Sequence, residues 1–311
     1  MKIAVLAGGV GGARFVRGVR TAFPDAEITV VVNTGDDLWL TGVRLQPDID
    51  SILYAMAGVN DTERGWGRAG ETERVGDELR RWGAGWPWFT LGDLDLGTHL
   101  ARTGWLRDGL TPTQVVERLS ARWPIGVRLL PMTDSEVDTH VVVEGGERLH
   151  FQEWWTRHRA TVPAVAFENP GIADAVPAPG VVEAITAADV VALAPSNPVV
   201  SIGPILAVPG LRAALSHARR VVGVSPIIGG KVVRGMADAC LSAIGVDTSA
   251  GAVARHYGRR ADGGVLDTWL IAEEDRDLAA GLEAEGWDVR VEPLWMSDPD
   301  TSAALARAAL G

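Results

Sequence analysis

Cysteine is nearly absent from this chain: Cys240 is the single thiol in 311 residues. That excludes an internal disulfide and a cysteine-rich metal centre, and it fits a reducing cytoplasm. Lysine is almost as scarce, with only Lys2 and Lys231 beside the arginines, a bias from which no function follows. No apolar run reaches the roughly 18 residues of a membrane span. Met1 to Leu6 runs straight into glycines with no small-x-small cleavage site, so it reads as a first strand rather than a signal peptide. Positive charge is short as well: 29 Lys and Arg face 40 Asp and Glu, a net charge of -11. Phosphate backbones are held by an excess of basic residues, so a nucleic-acid surface is excluded. Any anionic ligand must be held by backbone amides, a metal ion or a few local arginines.

Hydrophobic residues at 47% and charged residues at 22% are those of a globular protein. The opening reads as strand (Lys2 to Ala7), glycine loop, helix (Ala13 to Phe23) and strand (Glu27 to Val32), a βαβ unit with parallel strands. Apolar runs at Val162 to Phe167, Asp189 to Ala194, Arg220 to Val224, Val265 to Ile271 and Val289 to Leu294 continue the theme. Short, continuously apolar strands suit a sheet covered on both faces. Thr111-Pro112 starts a helix whose core face carries Val115, Val116, Leu119 and Trp123. Cys240 falls on a helical pattern from Arg234 to Ile244, as a small core residue. From about 127 to 160 the pattern changes to a hairpin, Val137 to Val143 and Arg148 to Phe151 around Glu144-Gly145-Gly146-Glu147. The expectation is a single α/β domain over 1–311, a doubly wound, mostly parallel Rossmann-like sheet carrying this hairpin and helical subdomain as an insertion.

Chemistry gathers at the strand ends. Gly8-Gly9-Val10-Gly11-Gly12-Ala13 lies between the first strand and first helix, where absent side chains let backbone amides approach a phosphate. The competing reading is a tight packing turn. Arg14 stands where a dinucleotide fingerprint has its third glycine, and the second strand ends in Asn33 rather than an acid, so an NAD site is disfavoured. Lys231 lacks the following Ser or Thr of a P-loop. Next come Asp36 and Asp37 in Asn33-Thr34-Gly35-Asp36-Asp37, and Asp48 and Asp50 in Pro47-Asp48-Ile49-Asp50-Ser51. Carboxylates beside a phosphate site call for a hard cation, and magnesium, which takes one or two carboxylates plus phosphate oxygens, fits. Asp50 also reads as the N-cap of a helix from Ser51 to Ala57, and Asp48 as a solvent-exposed or turn residue. In Gly92-Asp93-Leu94-Asp95, either acid could simply cap the following helix. Ser196 and Asn197 sit in a rigid loop, Ala194 to Pro198, and Ser225 to Gly230 closes another strand. Several polar, glycine-bearing strand ends on one edge point to a nucleotide crevice.

These strings together resemble the 2-phospho-L-lactate transferase family of coenzyme F(420) biosynthesis, and its actinobacterial branch that transfers a phosphoenolpyruvyl group. The resemblance runs through the glycine loop, Asn33 to Asp37, Pro47 to Asp50, Leu91 to His99, His150 to Trp155, Ala194 to Pro204 and Ser225 to Gly230. It implies a guanosine-diphosphate-linked acid as donor, the deazaflavin alcohol Fo as acceptor and GMP as leaving group, which makes the chain a transferase of substituted phosphate groups. Enolpyruvate, lactate and glycerate stay open as the acid. Carried over, magnesium contacts fall on Asp36 and Asp50, nucleotide contacts on Gly9, Gly11, Gly12, Ala13, Ser196 and Asn197, and acceptor contacts on Asp50, Asp93 and Leu94. The family usually has Arg where Leu94 stands, which puts that contact in doubt. A homodimer is kept as the expected assembly, with no residue to carry it.

A terminal ribityl hydroxyl attacking the phosphorus that carries the acid needs alignment and charge neutralisation above all. Asp37 or Asp50 is the candidate proton acceptor, with Asp37 preferred because a metal-bound Asp is a poor base. The string Phe151 to Trp155, with Trp39 and Trp66, is a candidate ring pocket, although tryptophans are more often core. A reading from another class is a non-catalytic nucleotide-sugar-binding regulator, which would need no deazaflavin pocket.

Overall fold

The computed structural model describes residues 1–311. Fourteen strands occur in chain order: β1 Lys2–Ala7, β2 Glu27–Val32, β3 Leu38–Leu40, β4 Val43–Leu45, β5 Arg128–Pro131, β6 His140–Val143, β7 Arg148–His150, β8 Ala164–Glu168, β9 Val190–Leu193, β10 Val221–Val224, β11 Ile227–Ile228, β12 Lys231–Val232, β13 Thr268–Ala272 and β14 Asp288–Glu292. Seven of them form one sheet in the order β14-β13-β10-β9-β1-β2-β5, and every pairing in it is parallel. The chain winds outward one way from β1 through β2 to β5, and the other way from β9 to β14. The doubly wound expectation holds, and the switch point lies between β1 and β9, where open sheets bind ligands.

Alternation along β1 divides the core. Ile3, Val5 and Ala7 point into one layer with Phe15, Ile52 and Leu129, while Ala4 and Leu6 join Leu193, Leu266 and Trp269 in the other. Helices α1 (Gly9–Ala22) and α2 (Pro47–Ala57) cover the first face together with the C-terminal helix Pro299–Leu310. Three further helices follow: α3 (Arg74–Arg81), α4 (Asp93–Arg107) and α5 (Pro112–Ser120). Thr111 caps α5 as expected, in a capping box with Gln114. Cys240 is buried on the helix Ala237–Ala243, shorter than the pattern Arg234 to Ile244 suggested.

Several expectations need correcting. Arg128–Pro131, expected inside an insertion starting at 127, is the edge strand of the main sheet, paired with β2. An edge tolerates the proline that disguised it. The inserted sheet is therefore β7-β6-β8, and the run Val162 to Phe167 supplies its β8, antiparallel to β6, rather than a parallel strand. Its half-exposed residues are those of a sheet covered on one side. The first helix starts at Gly9, not Ala13, so the glycines form its first turn. Likewise α2 starts at Pro47, not Ser51: the Asp50 N–H donates to the Gln46 carbonyl at 2.9 Å inside the helix, so Asp50 is not an N-cap. Proline at the first helical position sets that start.

Candidate active site

A cavity of about 570 Å³ opens at the switch point. Its floor is the turn from β1 into α1. Gly8 is extended, and a Cβ there would come within 2.4 Å of Asp48 Oδ2. The Ser196 hydroxyl clamps the same residue, accepting from the Gly8 N–H at 3.0 Å and donating to its carbonyl at 2.7 Å. A Cβ on Gly11 would lie 2.7 Å from the Pro195 carbonyl oxygen, and one on Gly12 would lie 2.8 Å from Ser196 Oγ. Packing against the loop after β9 thus accounts for these two glycines. Gly9 differs: its φ is +63°, and the nearest atom to an added Cβ is Asp48 Oδ1 at 3.7 Å. Gly9 and Gly11 line the cavity, whereas Gly12 and Ala13 lie buried behind it. Ser196 and Asn197 line it too, but the Asn197 Oδ1 is engaged by the Val199 and Val200 N–H groups, capping a π turn at Pro198–Ile202.

The acids fall into two sets. In the first, one amide joins two carboxylates: Asn33 Nδ2 donates to Asp36 Oδ1 at 3.1 Å and to Asp48 Oδ2 at 2.8 Å, and Gln152 donates to Asp36 Oδ2 at 3.2 Å. Both acids are buried, and no Arg, Lys or His forms an ion pair with either. Burial, then the charges of Asp48 and Asp37, hold the Asp36 carboxyl well above the usual range. Burial pushes Asp48 up to about 6. The expectation of an exposed Asp48 fails because α2 begins earlier and turns this residue inward against Gly8.

In the second set, Arg102, fully buried on α4, donates to Asp50 Oδ1 in a short contact. Arg102 Nη1 also lies 3.0 Å from His99 Nδ1. A guanidinium only donates, so Nδ1 faces it as the acceptor, while Nε2 lies 3.6 Å from Asp95 Oδ1. Tyr54 donates to that same Asp95 oxygen at 2.7 Å. Ligand atoms of Asp50, Asp95 and His99 lie within 4.8 Å of one another. Asp50 Oδ2 has no hydrogen-bond partner. Burial raises the Asp50 carboxyl against the pull of Arg102; burial also acts on Asp95, but His99, Tyr54 and Arg102 outweigh it and leave that carboxyl below its usual value.

Other expected residues lie elsewhere. Asp37, the preferred proton acceptor, does not line the cavity: it accepts from Gln46 Nε2 at 2.8 Å and lies 3.5 Å from Arg44. Burial pushes its carboxyl well up, with Arg44 pulling down. Asp93 accepts from the Thr72 hydroxyl and the Val75 N–H, capping α3, and Leu94 faces a different groove. The aromatic wall consists of Trp66, Trp88, Phe89, Phe151, Trp155 and Trp295; Trp154 is core and Trp39 hydrogen-bonds to Glu136 outside. The reading of single strand ends missed Arg102, although Asp95, His99 and Arg102 at i, i+4 and i+7 share one helix face.

The family model for 2-phospho-L-lactate transferase CofD matches residues 3–295. The chain belongs to this family. Curated relatives agree over their length: a phosphoenolpyruvate transferase of Nocardia farcinica is 54% identical, the match covering 99% of this chain and 94% of the relative. One of Thermobifida fusca is 53% identical, covering 100% and 97%. As a 2-phospho-L-lactate transferase family member the chain is a transferase. Among solved structures, protein BH3568 of Bacillus halodurans superposes with a TM-score of 0.65 at 18% identity, covering 100% of this chain and 99% of that one, which establishes the shared fold alone. No helix is long and apolar enough to cross a membrane.

Proposed function

We propose that the chain transfers a phosphoenolpyruvyl group, or a 2-phospholactyl group, from a guanosine-diphosphate-linked donor to the terminal hydroxyl of Fo, releasing GMP on the path to coenzyme F(420). The observation that carries this reading is the cavity itself, which joins the amino end of α1, a buried carboxylate pair with no basic partner, and an aromatic wall. The names of the relatives favour enolpyruvate as the acid.

The Gly9 to Gly11 turn offers helix N-terminal amides to the diphosphate. Asp36 and Asp48 are the residues that fit a divalent cation, since two buried carboxylates sharing one amide with no basic partner are costly unless a cation joins them. Magnesium held there would neutralise diphosphate charge. Asp50, expected beside Asp36 on the metal, is already neutralised by Arg102 and serves better as the proton acceptor through its unpartnered Oδ2. In the step, the hydroxyl oxygen of Fo bonds to the phosphorus bearing the acid. The bond from that phosphorus to the oxygen of GMP breaks, GMP leaves with the electron pair, and the hydroxyl proton passes to Asp50. Trp66, Trp88 and Trp155 line the cavity and would flank a flat ring.

Purified protein given Fo, magnesium and a panel of guanosine-diphosphate-linked enolpyruvate, lactate and glycerate tests this by mass spectrometry. Conversion of Fo with equimolar GMP is the expected outcome, with enolpyruvate fastest. Nucleotide binding without any conversion would favour the non-catalytic regulator.

A further inference from the structure

On the neighbouring face of α4 from Asp95 and His99 lies a second cavity, about 320 Å³ in volume, between α4 and α5. Three arginines converge there: Arg68, Arg118 and Arg122. Each guanidinium is set against an indole, Arg118 at 4.5 Å over Trp105, and Arg122 at 4.6 Å and Arg68 at 5.5 Å over Trp123. None of the three forms an ion pair, although the nearby Arg64 pairs with Asp61, Glu71 and Glu73. Arg68 Nε is buried without a hydrogen-bond partner. Asp93, the one carboxylate lining the cavity, already accepts from Thr72 and Val75.

Three guanidiniums without an ion pair on one groove form a local positive site in a chain of net charge -11. Stacking on indoles fixes their planes and leaves their N–H donors free. What the groove lacks is acceptor oxygens. We infer that it binds a small multivalent oxyanion, phosphate- or carboxylate-bearing, at a site separate from the main cavity. Tyr54 connects the two, since its ring lies 5.8 Å below the Arg68 guanidinium while its hydroxyl donates to Asp95.

Calorimetric titration of the full chain in saturating GDP, which occupies the main cavity, with pyrophosphate and, separately, with citrate tests the site, using the wild type, an R118Q/R122Q variant and an R14Q variant. Arg118 and Arg122 are exposed, so their replacement leaves the fold intact, and Arg14 lines the main cavity. Binding of at least one anion is expected, weakened about tenfold or more in R118Q/R122Q, the scale of one lost charge-assisted hydrogen bond, and unchanged in R14Q. Tighter pyrophosphate marks a phosphate-bearing ligand and tighter citrate a polycarboxylate. No heat with either anion, or binding that survives R118Q/R122Q or disappears in R14Q, overturns the assignment.

Discussion

Two acid sets face one cavity, and they are opposites. Asp50 and Asp95 have cationic or donor partners built around them in Arg102, His99 and Tyr54. Asp36 and Asp48 share a single neutral amide and have no basic side chain at hand. Equal sequence chemistry thus yields two electrostatic situations. One set carries its countercharge within the fold, and the other has no basic side chain paired with it. A carboxylate's partners, as much as its burial, set its electrostatic state.

The largest effect should come from removing the built-in countercharge. Arg102→Leu leaves Asp50 buried and unpaired, and should cost about 3 to 5 kcal/mol in urea denaturation. Adding Asp50→Asn should recover most of it, because the stranded charge is gone. A single variant as stable as wild type would mean that the pair does not hold this region together.

The converse holds for the unpartnered set. The folded-state pKa of Asp48 is raised from 3.8 to about 6. Between those values the native state keeps a proton that the unfolded chain has released, so the contribution to stability is full below about pH 4 and is lost as pH rises through about 6. In chelator, Asp48→Asn should therefore be more stable than wild type above that range, by up to about 3 kcal/mol, and should lose this advantage in acid. Magnesium should raise the wild-type melting temperature at neutral pH and do little for the variant. Equal pH profiles for the two proteins would remove Asp48 from the proposed cation site.

The smallest effect separates the floor from the acids. Gly9→Ala forces an alanine to φ +63° with its Cβ in ordinary contact with Asp48, which should cost about 1 kcal/mol and weaken GDP binding measured by calorimetry. Gly11→Val is no substitute, since its side chain meets the Pro195 carbonyl and reports on packing. Undiminished GDP affinity in Gly9→Ala would remove this turn from the diphosphate site.

Much of the molecule was legible before folding. Periodicity gave β1, β2, β9, β10, β13 and β14 within a residue or a few of their ends, because strands buried on both faces are written as unbroken apolar runs. Asp36, Asp50, Gly9 and Ser196 all line the cavity, because strand ends of a parallel sheet open on one edge. The edge strand at Arg128–Pro131 was not legible, being short and ending in proline. Nor was the starting residue of α2, where the proline rather than Asp50 opened the helix.

The sequence by itself determined the layered α/β fold, the edge on which the cavity opens and the family, since these depend on local pattern and on literal strings. Only the tertiary structure decided which acid has a countercharge. Arg102 reaches Asp50 across 52 positions of chain and Gln152 reaches Asp36 across 116, while Asp37, one residue from Asp36, turns away to Arg44. Charge compensation acts over a few ångströms in space and is indifferent to distance along the chain, so it exists only once the sheet has brought those side chains together.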